Sequence, residues 1–346
     1  MTASRGLADP RDLRLSVVII VFNLEPYIGQ AIDSVLAQTR PADEIIVVDD
    51  CSTDRSADVV AAYGSNVRYL RMPKNSGALL AALHGVKAAG GDVVCMLDGD
   101  DYWAANKLAV VERAFSADPA LMLLSHDHRR VDAKGIELPI RDETHRNIAA
   151  IRRRAISAGD LSNRLKDAIL DQTGYWLGSA YSFRRSCFDI PKFERQIAEF
   201  GLDEVQPTYL DLVVAPFLVL TNPSRRVGYT PDTHFLYRVH DKGSLAGNLT
   251  PEKALHSACK GRRTHALIDF ILRSNGASPA QLRRRELLLQ EYDFLAALYS
   301  GKIGKAATLY ARLARRHWKT RELVKETGRM IAVRVLGPAR FLKLKG

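Results

Sequence analysis

The chain has 346 residues, 47% apolar and 26% charged, with a formal net charge of +11. These are the proportions of a soluble globular protein, long enough for one sizeable domain and an appendage. No apolar stretch approaches the roughly 20 residues of a spanning helix, which argues against an integral membrane protein. Cys51, Cys95, Cys187 and Cys259 are scattered without a C-x-x-C pair, which excludes a disulfide framework.

In chain order, Leu15–Val21 reads as a buried strand. Ile28, Ile32, Val35 and Leu36 recur at helical spacing within Glu25–Gln38. A strand over Glu44–Asp49 follows, and Ser52, Thr53 and Asp54 are N-cap residues for a helix over Ser56–Tyr63. A short strand Val67–Leu70, a loop Pro73–Gly77, an Ala/Leu-rich helix to about Ala89 and a strand Val93–Leu97 complete the first part. This β-α-β-α-β-α-β order predicts an α/β fold, Rossmann-like, with a mainly parallel sheet between helices. Beyond Trp103 the expectations are a strand Leu121–Ser125 and a hairpin Val131–Leu138, then a variable polar insertion over 139–170. A strand Gly178–Phe183, a helix Leu210–Leu220 and a strand with a loop over Val227–Ser244 follow.

Two of these strands end on acids. Ile45-Ile46-Val47-Val48 runs into Asp49-Asp50, and Val93-Val94-Cys95-Met96-Leu97 runs into Asp98-Gly99-Asp100-Asp101. Open α/β sheets bind ligands at the carboxyl ends of their strands, so both clusters should face one crevice. Carboxylates gathered there repel one another unless a cation or hydrogen-bond donors sit among them. A divalent metal holding a diphosphate meets that need.

At this point Ser16-Val-Val-Ile-Ile-Val-Phe-Asn23, Ile46-Val-Val-Asp-Asp50, Asn75-Ser-Gly77, Leu97-Asp-Gly-Asp-Asp101 and Tyr237-Arg-Val-His240 can be taken together. In this order they resemble the inverting family 2 glycosyltransferases of the GT-A fold, with a catalytic domain over residues 14–248. The resemblance implies a nucleotide-sugar donor, with UDP favoured because a carboxylate accepts from a uracil imide. It implies nucleotide contacts by Val21, Asn23 and Glu25, by Asp49 and Asp50, by Lys74, Asn75 and Gly77, and by Asp98. Asp100, with Asp98 and His240, would hold Mg²⁺ or Mn²⁺. Arg238 would pair with phosphate, while Gly178 and Ser179 would line the sugar or acceptor pocket. Asp211 fits the base that takes the acceptor proton; where the family carries an adjacent acid pair this chain has Leu210-Asp211, and Asp203 and Glu204 are the alternatives. Leu83-His84 also departs from the family's Arg-Asn pair.

Blander roles stand beside these. Asp50, Asp54 and Asp101 could each cap a helix, and His126-Asp-His128 offers two imidazoles without further ligands. A non-catalytic nucleotide-sugar or glycan-binding scaffold would keep the donor motifs. A metal-dependent nucleotidyltransferase would bring a Gly-rich basic loop, which Val21–Glu25 is not.

Residues 251–346 hold 21 Lys and Arg against 7 acids, while the preceding 250 hold 29 against 32. Thr250-Pro251 and Ser278-Pro279 read as helix starts, and Asn275-Gly276 and Ser300-Gly301 as stops. The tail, 250–346, is thus expected to be a basic α-helical extension. Its amphipathic helices suit either an anionic membrane surface or a homodimer contact. Nucleic acid is disfavoured, because no recognised module accompanies the charge. With the polar start Met1–Arg14, the expectation is a cytoplasmic protein, peripheral on the inner face of the cell membrane.

Overall fold

The computed structural model describes residues 13–138, 160–171, 178–201, 208, 210–240, 250–316 and 320–343. Strand β1 (Leu15–Val21) is buried along its whole length, the signature of a central strand covered on both faces. It pairs in parallel with β2 (Glu44–Asp49) on one side and with β4 (Val93–Asp98) on the other, and β3 (Arg68–Arg71) extends the β2 edge. The crossovers carry α1 (Ile28–Leu36), α2 (Ser56–Ala61) and α3 (Ala78–Ala88). On α1, Ile28, Ala31, Ile32 and Val35 form the buried stripe that the sequence spacing predicts. Gly85 lets α3 lie close to the sheet, since a Cβ there would stand 2.3 Å from Val18 Cγ1.

The chain leaves β1 toward β2 and later returns to its other side as β4. That reversal places a topological switch point at the carboxyl end of β1. In register, Val21 sits beside Asp49 and Ile20 beside Asp98. The two acid clusters therefore flank one strand end, about 10 Å apart by strand spacing.

The second half completes the sheet with β5 (Tyr102–Trp103), β6 (Leu121–Val131), β7 (Ser182–Arg184) and β8 (Arg226–Arg238), in the order β3-β2-β1-β4-β7-β6-β8-β5. Around it lie α4 (Lys107–Ala117), α5 (Leu161–Asp171), α6 (Ile190–Phe200) and α7 (Leu210–Thr221). Several expectations are corrected here. The segment Gly178–Ala180 is a 3₁₀ turn, and only Ser182–Arg184 pairs as a strand. The hairpin after Val131 does form, through the Val131–Glu137 bridge and Leu138 N donating to Arg130 O at 2.8 Å, with Asp132 Oδ1 taking the Lys134 and Ile136 N–H groups in a tight turn. Helices α4 and α6 were not expected. The latter begins where Asp189 accepts from Lys192 N and ends at Gly201, whose φ of 82° suits glycine. The polar stretch 139–159, Asp203, Glu204 and Ser244 lie outside the described residues.

The tail is helical as expected, with α8 (Pro251–Ser274), α9 (Pro279–Tyr299), α10 (Ile303–Arg316) and α11 (Thr320–Lys343). Thr250 and Ser278 cap α8 and α9, the second through a full capping box. Gly276 and Gly301 take the positive φ of helix stops. The core, however, does not stop at residue 248. Leu267, Ile268, Ile271 and Leu272 of α8 belong to the same apolar cluster as Val18, Ile46 and Val94 of the sheet. Buried Arg285 of α9 bonds His265 Nδ1 at 2.9 Å and reaches the Leu170 carbonyl at 2.5 Å, fastening α9 to α5. Only the end of α9 with α10 and α11 builds a separate small core, around Phe294, Leu298, Leu313 and Val333.

Candidate active site

The loops after β1 and β2 are laced together. Asn23 N donates to Ser52 Oγ at 3.0 Å, and Asn23 Oδ1 accepts from Thr53 N at 2.7 Å. Glu25 N donates to Asp54 Oδ2, and Glu25 Oε2 takes the Arg55 N–H. Asp54 Oδ1 also accepts from Ser56 N at 3.0 Å, so this acid organises the start of α2. Asn23 (φ 55°) and Cys51 (φ 64°) are the non-glycine residues with positive φ among the described residues. Both sit just past a strand end in this crevice, where backbone strain of this kind gathers. Asparagine tolerates that conformation, but nothing in the sequence signals it for Cys51.

Asp49 and Asp50 divide the work differently from the sequence expectation. Fully buried Asp49 takes the Ser52 N–H on Oδ1 at 2.7 Å. On Oδ2 it takes the Tyr69 hydroxyl at 2.5 Å and Arg71 Nη1 at 2.9 Å. Asp50 caps no helix at α2; each of its oxygens accepts one amide, from Ser76 and Gly77, at 2.7 Å. Burial raises its pKa, against those two amides, with Asp49 adding a smaller push. It thereby fixes the loop Asn75–Gly77 at the mouth of α3, where Gly77 has a φ of 85°. Lys74 is exposed beside it, Leu83 is buried and His84 faces outward.

The second cluster is a tight turn. Gly99 N donates to Ile20 O at 2.8 Å, and a Cβ on Gly99 would meet that same oxygen at 2.8 Å. Only glycine lets the turn approach β1 this closely. Asp98 is half-buried, and its N–H donates to Ser179 Oγ at 3.0 Å. Asp100, partly exposed, bonds His240 Nε2 through Oδ2 at 2.9 Å. His240 is buried against Tyr27, and its Nδ1 has no hydrogen-bond partner among the described residues. Asp101 caps no helix. Buried, it accepts from Ser179 Oγ at 2.6 Å and from Arg238 N at 2.9 Å. Burial and then the neighbouring charges of Asp100 and Asp98 push its pKa well above the usual carboxylate range.

Two expected ligand residues prove to be framework. Arg238 is buried and spends its guanidinium on Asp100 O at 2.8 Å, Ala133 O at 3.1 Å and Gln30 Oε1 at 2.5 Å, between the rings of Tyr27 and Tyr102. Its charge serves protein oxygens, so it clamps the turn rather than pairing with phosphate. Ser179 is wholly buried and points inward, to Asp98 N and Asp101, rather than lining a pocket. Gly178, also buried, borders a small apolar cavity with Leu79, Leu83, Tyr181, Phe193 and Leu210. Asp211 stands in the first turn of α7.

Among the described residues no three His, Cys, Asp or Glu side chains converge as a metal cage. Asp100 and His240 nevertheless form a two-residue set of hard oxygen and imidazole nitrogen. That fits Mg²⁺ or Mn²⁺, which need few protein ligands when phosphate oxygens supply the rest. His126 and His128 are buried among Phe235, His234 and Tyr237 and show no ligand set.

Residues 16–176 match the Glycosyl transferase family 2 family. Over 117 residues the chain is 37% identical to an uncharacterized glycosyltransferase of Nostoc sp., covering 33% of this chain and 36% of that protein. Over 102 residues it is 37% identical to the poly(ribitol-phosphate) beta-glucosyltransferase of Bacillus spizizenii, covering 28% of this chain and 16% of that one. The match thus spans well under half the length of either relative. The fold is similar to that of a mannosyltransferase from Pyrobaculum calidifontis in complex with GDP-Man and Mn²⁺. The TM-score is 0.52 at 18% identity, over 96% of this chain and 86% of that one. With the switch-point crevice and the acid turn in hand, residues 16–176 are seen to match the family 2 glycosyltransferases, and the fold is of the GT-A kind.

Proposed function

We propose that the protein is an inverting, metal-dependent glycosyltransferase that moves a sugar from a nucleotide-sugar, with UDP favoured, to a saccharide or lipid-linked acceptor in cell-surface polysaccharide synthesis. The observation that carries this reading is the meeting of Asn23, Asp50, Asp98, Asp100 and His240 at one strand-end crevice, drawn from segments more than 200 residues apart. Asp49 stiffens the base side by fixing Tyr69 and Arg71, and Asp50 orients the 75–77 loop toward the donor. Asp100 and His240 would hold the metal, with Asp98 facing the ribose beside it. Bound there, Mg²⁺ or Mn²⁺ would neutralise charge growing on the departing diphosphate. Asp211 would take the proton from the acceptor hydroxyl as the new bond forms, a general-base role that a water-poor site favours.

Thermal denaturation with UDP or GDP, each with and without Mn²⁺, tests the donor side. A nucleotide that stabilises only with metal is expected, since a ligand bound to the folded state alone raises its melting temperature. No stabilisation by any nucleoside diphosphate with either metal rejects the reading. A panel of nucleotide-sugars scored for donor hydrolysis then names the sugar.

The tail supports a peripheral membrane setting. No described helix is long and apolar enough to cross a membrane. On α11, Ile331 (56% exposed) and Val335 (75% exposed) stand one turn apart beside exposed Arg334. An apolar pair within a strongly basic tail suits an anionic bilayer. Co-sedimentation with anionic but not zwitterionic vesicles is expected, and Ile331→Glu with Val335→Glu should abolish it. Unaltered pelleting of that variant, or a lipid-independent doubling of mass through this face, turns the reading toward a homodimer.

A further inference from the structure

Lys107 is a group that the chemistry above leaves unused. It opens α4 and is wholly buried. An ammonium therefore stands at the positive end of a helix and out of water, two unfavourable placements at once. Its surroundings show what offsets them. Nζ lies 2.6 Å from Ser179 O and 3.9 Å from the centre of the Trp103 ring, while Trp103 Nε1 donates to the same carbonyl at 3.2 Å. From its hydroxyl, Ser179 donates to Asp101 Oδ2 at 2.6 Å and accepts the Asp98 N–H at 3.0 Å. A chain of ammonium, serine and carboxylate thus runs beneath the acid turn and touches both of its ends.

Three carboxylates gathered in one turn repel one another less with a cation beneath them. Asp101 is buried beside Asp98 and Asp100, yet its direct partners are a neutral hydroxyl and a neutral amide. The Arg238 guanidinium is committed to other oxygens. Burial pulls the Lys107 pKa down to about 7, against the attraction of Cys95 and Asp101.

We propose that Lys107 is a positioning residue, the buried counter-cation of Asp101, which acts through Ser179 to hold the Asp98–Asp101 turn in the shape that presents Asp100 to His240 and the donor. The proposal rests on the metal-dependent reading above for its effect on the reaction. Its electrostatic core, a coupling between residues 107 and 101, does not.

The test uses the full chain with Lys107→Met, Asp101→Asn and the double variant. Each single change leaves one buried charge alone, so each lowers the melting temperature. Removing both together costs less than the sum, because neither charge is then stranded. Each single change also raises the Mn²⁺ needed for half-maximal nucleotide binding by about tenfold, the scale of a lost outer support to a metal ligand. Donor KM should rise while acceptor KM stays unchanged. Additive melting effects, or a Lys107→Met protein with the wild-type Mn²⁺ requirement, overturn the proposal and leave Lys107 as filler. Should Lys107→Met fail to fold, Ser179→Ala decides. It keeps both charges and cuts only the hydroxyl bridge, so the Mn²⁺ requirement must rise, and an unchanged requirement overturns the proposal. A wild-type protein indifferent to nucleotide and metal sinks the functional reading instead. The ligand-free coupling of 107 to 101 then still decides the counter-cation.

Discussion

Asp100 Oδ2 and His240 Nε2 lie 2.9 Å apart, although 140 residues separate them in the chain. The contact joins the acid turn after β4 to the segment that follows β8, so this pair, proposed above to hold the metal, forms only once those strands have come together. His240→Ala should still fold at some cost in stability, since it empties a buried place beside Tyr27 but touches neither large apolar cluster. It should nonetheless raise the Mn²⁺ requirement of nucleotide binding by about tenfold or more. Asp100→Asn should abolish metal-dependent turnover while keeping the melting temperature within a few degrees. Mn²⁺ titration of the nucleotide-induced thermal shift measures both, and a metal-dependent, active Asp100→Asn enzyme removes that residue from the site.

Gly99 gives a sharper test of the turn itself. An added Cβ would meet backbone, Ile20 O at 2.8 Å, and backbone cannot step aside as a side-chain end can. Gly99→Ala should cost about 1–3 kcal/mol through overpacking and weaken donor binding more than it weakens the fold. Gly64→Ala is the control: its φ of +55° strains any side chain, but nothing lies within 4 Å. It should cost about 1 kcal/mol and leave donor binding unchanged.

Arg238 can be assigned by comparing stability with affinity. As a clamp on Asp100 O, Ala133 O and Gln30, its planar fork has no substitute in lysine. Arg238→Lys should lower stability by about 2–3 kcal/mol, the cost of stranding buried acceptors. In the folded fraction, nucleotide affinity should change little. A stable variant with much weaker nucleotide binding would instead restore the phosphate role that the sequence motif implied.

The first half of the sheet and its strand-end acids were legible in the sequence because their signals are local. Apolar runs that stop on Asp49 and Asp98 predict strands, strand ends and a crevice from neighbouring residues alone. The inward turn of Ser179, the clamp by Arg238 and the Asp50 hold on Ser76 and Gly77 are contacts between distant segments, and motif order carries no trace of them. Lys107 left no trace, since no helix is expected over 107–117 and a lone lysine reads as a surface residue until its contact with the Ser179 carbonyl is seen. The tail shows the same division. Its caps at Thr250 and Ser278 were legible, whereas the joining of Leu267–Leu272 to the catalytic core was not.

That joining has a consequence for truncation. A chain ending at residue 248 loses Leu267, Ile268, Ile271 and Leu272 from the main core and uncovers the faces they bury. Each such side chain contributes about 1.5–3 kcal/mol, so the remaining piece should aggregate or melt without cooperativity. A chain ending at residue 301 keeps α8 and α9 and gives up only the small core around Leu313 and Val333. It should fold with reduced stability and still bind nucleotide. Circular dichroism melts of the two truncations separate a true extension from a part of the catalytic body.

Acid sensitivity should trace to the same junction. His265 is buried against the Arg285 guanidinium, and burial first, then that like charge, lower its pKa from the usual 6.5 to about 3. The unfolded chain takes up a proton below pH 6.5 that the folded chain refuses. Stability from this group is therefore complete above pH 6.5. It falls by about 1.4 kcal/mol per pH unit toward pH 3, where the folded site finally protonates and the loss levels off. His265→Gln keeps an acceptor for Arg285 but has no proton to gain. It should be somewhat less stable than wild type at pH 7, and the difference should shrink or reverse by pH 4. Urea titrations at pH 7, 6, 5 and 4 read the slope directly. Parallel stability curves for the two proteins would mean that His265 does not stay neutral in the fold, and that α9 is anchored to α5 by Arg285 and Leu170 without the imidazole's help.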